Sequence, residues 1–244
     1  MEDLNCFESK FNHCYYSTRL IKKIELLNIR QSAEQQVAIK PIIKAIYYAK
    51  KYHGNQKRAT GEPYYSHPME VAYMIADYLF NTDIIVVSIL HDTLEDTSLT
   101  MDMISKIFSQ NIANQVAALT RIKLGRKFTS AEVLEKLYLD NKKDLLIIKL
   151  LDRLHNLLTI QVKSVEKIQY TVLETLKSFL IVAAFCELKD IEYMLSKLCF
   201  SIQVQLNLIK EEPYYDFSYD NFQLPYLDRK NNILKMHSPL KLEL

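Results

Sequence analysis

The chain has 244 residues, 49% of them hydrophobic and 25% charged, with a formal net charge of +2. That supplies the core of one large domain, or of one domain with appendages. The near-neutral charge gives no strong field for a nucleic acid or a membrane surface. Three glycines, and no proline between Met69 and Glu212, exclude a turn-rich β architecture and favour helices joined by short loops.

Residues 1–36 mix aromatics, cysteines and charges without a clean period and read as an arm or cap, with a short amphipathic helix over Leu20–Ile29. Glu2 and Asp3, with no apolar h-region behind them, argue against a signal peptide. No uncharged apolar stretch approaches the roughly 18 residues of a membrane span. Cys6, Cys14, Cys186 and Cys199 form no CxxC pair and read as reduced thiols in a cytoplasmic protein.

From Val37 to Tyr52, Ala38, Ile42, Ala45, Ile46 and Ala49 recur at helical spacing, and His53-Gly54 is a glycine stop. An irregular loop follows, Asn55–Tyr65, carrying the adjacent cations Lys57 and Arg58. Ser66-His67-Pro68 is expected to restart a helix with a hydroxyl cap and a proline in the first turn. It continues to Phe80 with Val71, Met74, Ile75 and Tyr78 facing inward.

Asn81-Thr82-Asp83 caps the next helix, in which the apolar run Ile84–Leu90 leads straight into His91-Asp92-Thr93-Leu94-Glu95-Asp96. On a helix His91 and Glu95 lie four apart, so the imidazole and the acids crowd one buried end. Such a cluster costs stability unless a cation or a substrate neutralises it, and a metal is the natural candidate.

Residues 101–109, 111–120 and 130–140 read as three short helices, the last with capping-box spacing at Thr129 and Glu132. The basic break Arg121–Lys127 reads as a solvated loop in preference to a phosphate-binding one. Leu145–Asn156 is a second strongly apolar helix interrupted by Asp152, His155 and Asn156, which need partners if buried. Residues 165–186 and 188–210 are two long amphipathic helices, and 211–244 reads as an extended tail on the surface.

A plain helix bundle has no structural use for so many acids in apolar helices. Mixed imidazole and carboxylate donors suit a borderline-hard divalent ion such as manganese better than structural zinc. Such an ion activates water toward a phosphoryl group.

His67, then His91-Asp92, then Asp152 resembles the H…HD…D pattern of the HD-domain metal-dependent phosphohydrolases. The flanks Arg58–Pro68, Leu90–Thr97 and Ile148–Asn156 are similar to the hydrolase domain of the RelA/SpoT family, which acts on guanosine tetra- and pentaphosphate alarmones. The similarity runs from about residue 37 to 205. It implies an all-α HD-domain helical bundle, with residues 1–36 as an N-terminal arm, 37–210 as the hydrolase domain and 211–244 as a tail. It implies a manganese ion held by His67, His91, Asp92 and Asp152, with Glu95 and Asp96 acting on the water and the leaving group. Arg58, Thr60 and Asn156 match substrate-binding positions, and His155 is a supporting or core histidine rather than a ligand.

The implied reaction releases pyrophosphate from the ribose 3′ position, in a cytoplasmic enzyme with no nucleic-acid or membrane partner. No synthetase domain fits after residue 210, so a stand-alone hydrolase is expected. The sequence also departs from the family. Ala59 stands where a basic residue is usual, Asn156-Leu157-Leu158-Thr159 lacks an arginine, and Phe179–Glu187 loses a proline, a histidine and an arginine together. Another phosphorylated nucleotide such as NADPH, or a catalytically weak nucleotide-binding module, therefore stays open as an alternative.

Overall fold

The computed structural model describes residues 11–123 and 126–206, and the expected tail at 211–244 lies outside them. Apart from an antiparallel pair of two-residue strands, Ile122–Lys123 with Arg126–Lys127, and an isolated Lys57–Pro63 bridge, the regular structure among the described residues is helical.

Helix α1 (Tyr15–Asn28) starts five residues earlier than its apolar period suggested and buries Leu20, Ile21 and Ile24. Ion pairs Arg19–Glu70 and Lys23–Asp77 fasten it to α3 (Ser66–Tyr78), and both cations lie over the Tyr73 ring, at 4.0 and 3.9 Å from its centroid. Between them in sequence, α2 (Ile39–His53) buries Ile42, Ala45, Ile46 and Ala49, the expected face. It stops at Gly54, whose φ of 51° is the left-handed value that suits glycine.

Ser66 is the first helical residue of α3 rather than its cap, and its hydroxyl makes no hydrogen bond. The chain enters α3 from a tight turn in which the Pro63 and Tyr64 carbonyls already accept from the Ser66 and His67 amides, so no hydroxyl cap is needed. Helix α4 (Thr82–Leu90) is capped as expected, Asn81 accepting from the Asp83 and Ile84 amides, and every residue from Ile84 to Leu90 is buried.

The expected continuous helix through Glu95 is not formed. Helix α4 ends at Leu90, His91 and Asp92 make a turn, and α5 (Thr93–Asp96) is a single new turn. The cause is local. The His91 ring donates from Nδ1 to the Ser88 carbonyl, and the Thr93 hydroxyl donates to the Leu90 carbonyl, both at 2.7 Å. Side chains thus take two acceptors that a continuing helix would fill with its own amides.

Helices α6 (Met101–Ile107), α7 (Gln110–Leu119) and α8 (Ser130–Leu139) follow, capped by Thr100, Ser109 and Thr129, the last in a full capping box with Glu132. The central helix is α9 (Lys143–Leu158), buried along nearly its whole length. It packs on α3, on α8, and on the closing helices α11 (Leu180–Phe185) and α12 (Lys189–Gln205).

Residues 165–185 run as α10 (Val165–Glu174), a wider π turn (Thr175–Phe179) and α11. That stretch is long and apolar enough to cross a membrane by length and composition, but Ile168, Val172, Phe179, Val182 and Ala183 belong to the bundle core. Cys14, Cys186 and Cys199 are free thiols, and burial raises the Cys199 thiol to about 11.

Arg153 of α9 ties this closing layer down. Its guanidinium pairs with Glu174, donates to the Thr171 carbonyl and lies 4.0 Å from the centroid of the buried Phe179 ring. Removing it leaves a nearly buried carboxylate without its cation. Arg153→Met is therefore expected to destabilise the fold by about 3–5 kcal/mol in urea unfolding, whereas Arg19→Met, on a more exposed pair, costs less.

Candidate metal centre

The break between α4 and α5 does the positioning. Turning the chain at His91-Asp92 brings both side chains against His67 from the first turn of α3 and Asp152 from the third turn of α9. His67 Nε2 lies 3.1 Å from Asp152 Oδ1 and 3.5 Å from Asp92 Oδ2, and His91 Nε2 lies 3.1 Å from Asp92 Oδ1 and 3.8 Å from Asp152 Oδ1. His67, His91 and Asp152 are buried and present ligand atoms within 4.8 Å of one another.

The donors fit a divalent ion on the chemistry of this structure. A carbonyl only accepts, so the bond to Ser88 fixes the His91 proton on Nδ1 and turns Nε2 toward the two carboxylates. Nε2 is fully buried, yet it makes no aligned hydrogen bond despite the oxygens at 3.1 and 3.8 Å. A buried nitrogen facing two anions needs a cation, either a proton or a metal. Burial opposes the charged form of His91, and the Asp92 and Asp152 carboxylates outweigh it, raising the pKa to about 10. For His67, burial wins and lowers the pKa.

Burial would likewise raise Asp92 and Asp152. Cationic and hydrogen-bonding neighbours reverse it in both cases, His91 first for Asp92 and Lys149 first for Asp152.

A ring of supports surrounds these four. His155 shares a 2.9 Å hydrogen bond with His67 through the two Nδ1 atoms, so it orients a ring whose Nε2 faces the acids. Lys149 donates to Asp152 Oδ2 at 2.8 Å and Asn156 to Oδ1 at 2.6 Å. Arg58 reaches from the loop after α2 to Asn156 Oδ1 at 3.2 Å and to the Thr159 hydroxyl at 3.1 Å. Asn156 is thus an inner hydrogen-bond partner of Asp152 as well as a candidate substrate contact.

The two further acids flank the centre and are held from outside it. Arg121 grips Glu95 with its backbone amide and with its guanidinium, Nε at 3.2 Å. Asp96 accepts from the Tyr64 hydroxyl at 2.7 Å. Burial, with Asp92 and Glu95 close by, raises the Asp96 pKa against that hydrogen bond. A carboxyl biased toward holding its proton is suited to donating one to a leaving oxygen.

Of the residues singled out in the sequence, His67, His91, Asp92, Asp152, Asn156 and Arg58 form one connected set. Glu95 and Asp96 adjoin it through α5. Thr60 lies exposed on the loop, with no side-chain hydrogen bond among the described residues, and Ala59 is exposed beside it. The expected solvated loop at Arg121 is corrected, since that residue turns inward to Glu95. Tyr64 and Lys149 also carry contacts that the sequence reading did not assign. Both lie next to motif residues, which was the available signal.

A family model described as an HD domain matches residues 45–184. A GTP pyrophosphokinase rsh of Brucella ovis is 35% identical over 187 residues, covering 74% of this chain and 25% of its own length. A guanosine-3′,5′-bis(diphosphate) 3′-pyrophosphohydrolase of Spiroplasma citri is 34% identical over 200 residues, covering 78% of this chain and 27% of the relative. Its counterpart in Aquifex aeolicus is 39% identical over 141 residues, covering 57% of this chain and 20% of the relative. The chain thus spans about a quarter of the length of the curated relatives it matches. A solved structure of a metazoan SpoT ortholog that hydrolyzes ppGpp superposes with a TM-score of 0.57 at 20% identity, over 73% of this chain and 98% of the other. At that identity the likeness speaks for the fold.

The His155 bond gives a direct test of the centre. His155→Leu should weaken divalent-ion binding about 10–100-fold, read by calorimetric titration with manganese, while the helical circular dichroism spectrum stays unchanged. Wild-type protein at 100 times the ion's Kd should gain about 2.7 kcal/mol of stability, seen as a higher Tm, and Asp152→Ala should lose that gain.

Proposed function

Because the chain belongs to the HD-domain family, we propose that it is a metal-dependent phosphohydrolase that removes the 3′-pyrophosphate from guanosine tetra- and pentaphosphate. The observation that carries this reading is the buried His67, His91 and Asp152 group, with half-buried Asp92 against both imidazoles and Glu95 and Asp96 held at its edge. The relatives named as 3′-pyrophosphohydrolases support the choice of substrate.

In this reading His67, His91, Asp92 and Asp152 would hold manganese, favoured by their mixed imidazole and carboxylate donors. Bound there, such an ion would offset phosphate charge and make water more nucleophilic. Glu95 orients the attacking water and accepts its proton. Asp96, with its raised pKa, protonates the departing ribose 3′ oxygen. Arg58 meets a phosphate with charge-assisted hydrogen bonds, Thr60 adds a hydroxyl from the same loop, and Asn156 meets the nucleotide. Residues 37–210 constitute the hydrolase domain in this proposal, with 1–36 as an arm and 211–244 as a tail, acting in the cytoplasm on a small guanine nucleotide.

The exposed Ala59, where a cation is usual in the family, favours one second reading: the same chemistry on another phosphorylated nucleotide such as NADPH.

With manganese, purified protein is expected to release pyrophosphate from guanosine tetraphosphate and to stop on addition of chelator. Glu95→Gln should lower kcat by about 10²–10⁴-fold without loss of metal binding. Faster turnover of NADPH than of guanosine tetraphosphate in the same assay would move the assignment to the second reading, and no turnover of either would reject both.

A further inference from the structure

Asp96 is gripped by a loop that lies outside the HD dipeptide. The Tyr64 hydroxyl donates to its carboxylate, and Gln56 Nε2 donates to its backbone carbonyl at 2.8 Å. These two contacts come from opposite ends of the segment between α2 and α3, and a third residue joins them. His53, the last residue of α2, lies buried with its ring stacked on Tyr64 at 4.8 Å and 22°, and its Nδ1 bonds Gln56 Oε1 at 2.9 Å.

The segment itself is closed. Lys57 pairs with Pro63 in a β-bridge, the Tyr64 amide donates to the Gln56 carbonyl, and Gly61 takes a φ of 88° at the tip. The loop thus presents a phenol and an amide from a fixed frame, with the His53 ring as its floor. Asp96 lies in the single turn of α5, which has little helical strength of its own.

From this arrangement we propose that Tyr64, seated on His53, is a positioning residue that holds the Asp96 carboxylate in its working direction at the metal centre. The proposal rests on the reading of Asp96 as the acid that serves the leaving group. Tyr64 touches neither ligand nor reacting atoms through its hydroxyl; it acts through Asp96.

Tyr64→Phe keeps the ring and its stack on His53 and removes only the donor. With guanosine tetraphosphate and manganese, kcat should fall about tenfold or more, while KM and the manganese-induced rise in Tm stay as in wild type. In an Asp96→Asn background the same change should have no further effect. A crystal structure of Tyr64→Phe should show the Asp96 carboxylate turned away from its present direction.

Wild-type kcat in Tyr64→Phe, an equal loss in the Asp96→Asn background, or an unmoved carboxylate would each overturn the proposal. Wild-type protein without any turnover would instead overturn the assigned reaction, and the crystal structure of Tyr64→Phe would still decide whether the phenol positions Asp96.

Discussion

Two carboxylates, the buried Asp152 and the half-buried Asp92, sit against helices with apolar cores, and the centre of the fold is arranged to answer that. An unanswered charge there would cost several kcal/mol. Asp152 is met by Lys149 and Asn156 from its own helix and by His67 from α3, and Asp92 is met by His91 and His67. The imidazoles are in turn fixed by the Ser88 carbonyl and by His155. Since α3, the α4–α5 turn and α9 each supply part of the answer, the charge balance exists only once these helices have packed. Folding and site assembly are therefore one event.

The same demand explains why α4 has to end where it does. A helix continued through Glu95 would keep His91 and Asp92 on successive positions of one rod, about 100° apart. The turn instead lets both reach the same neighbours, with His91 Nε2 and Asp92 Oδ1 3.1 Å apart. Local hydrogen bonds from His91 and Thr93 to the backbone make the break, so the residue that serves the centre also shapes the chain around it.

Much of this was legible in the sequence, for a physical reason. Acids and histidines inside apolar helical periods are costly, so His91, Asp92, Asp152 and their neighbours stood out before any coordinates. Helices with strong end signals were legible too: Thr129 and Glu132 put the start of α8 at Ser130, as found. The helix break was not, because it depends on side chains competing for carbonyls rather than on a breaker residue. Ser66 looked like a cap only by residue type, and the turn before it had already supplied the bonds. Arg121 was hidden because a basic run reads as solvated, and its partner Glu95 lies 26 residues away. Tyr64 lies 32 residues from Asp96 and its contact is a tertiary one. Periodicity carries no information about either pair.

Helix α9 shows how the departures from the family divide. Its residues Asp152, His155 and Asn156 face α3 and the metal centre, while Arg153 points the other way, to Thr171, Glu174 and Phe179. The altered segment Phe179–Glu187 begins at the ring beneath that guanidinium and supplies Val182, Ala183 and Cys186 to the core. Its contacts with α9 through Arg153 are thus on the side away from the acids. Ala59 and Leu158 are different, since they neighbour Arg58, Asn156 and Thr159, which are already linked to one another beside the centre. Under the proposed reaction, a change of cation there would alter what meets a phosphate. In that proposal substrate preference is to be sought around Arg58 and Ala59, and fold stability around Arg153 and Phe179.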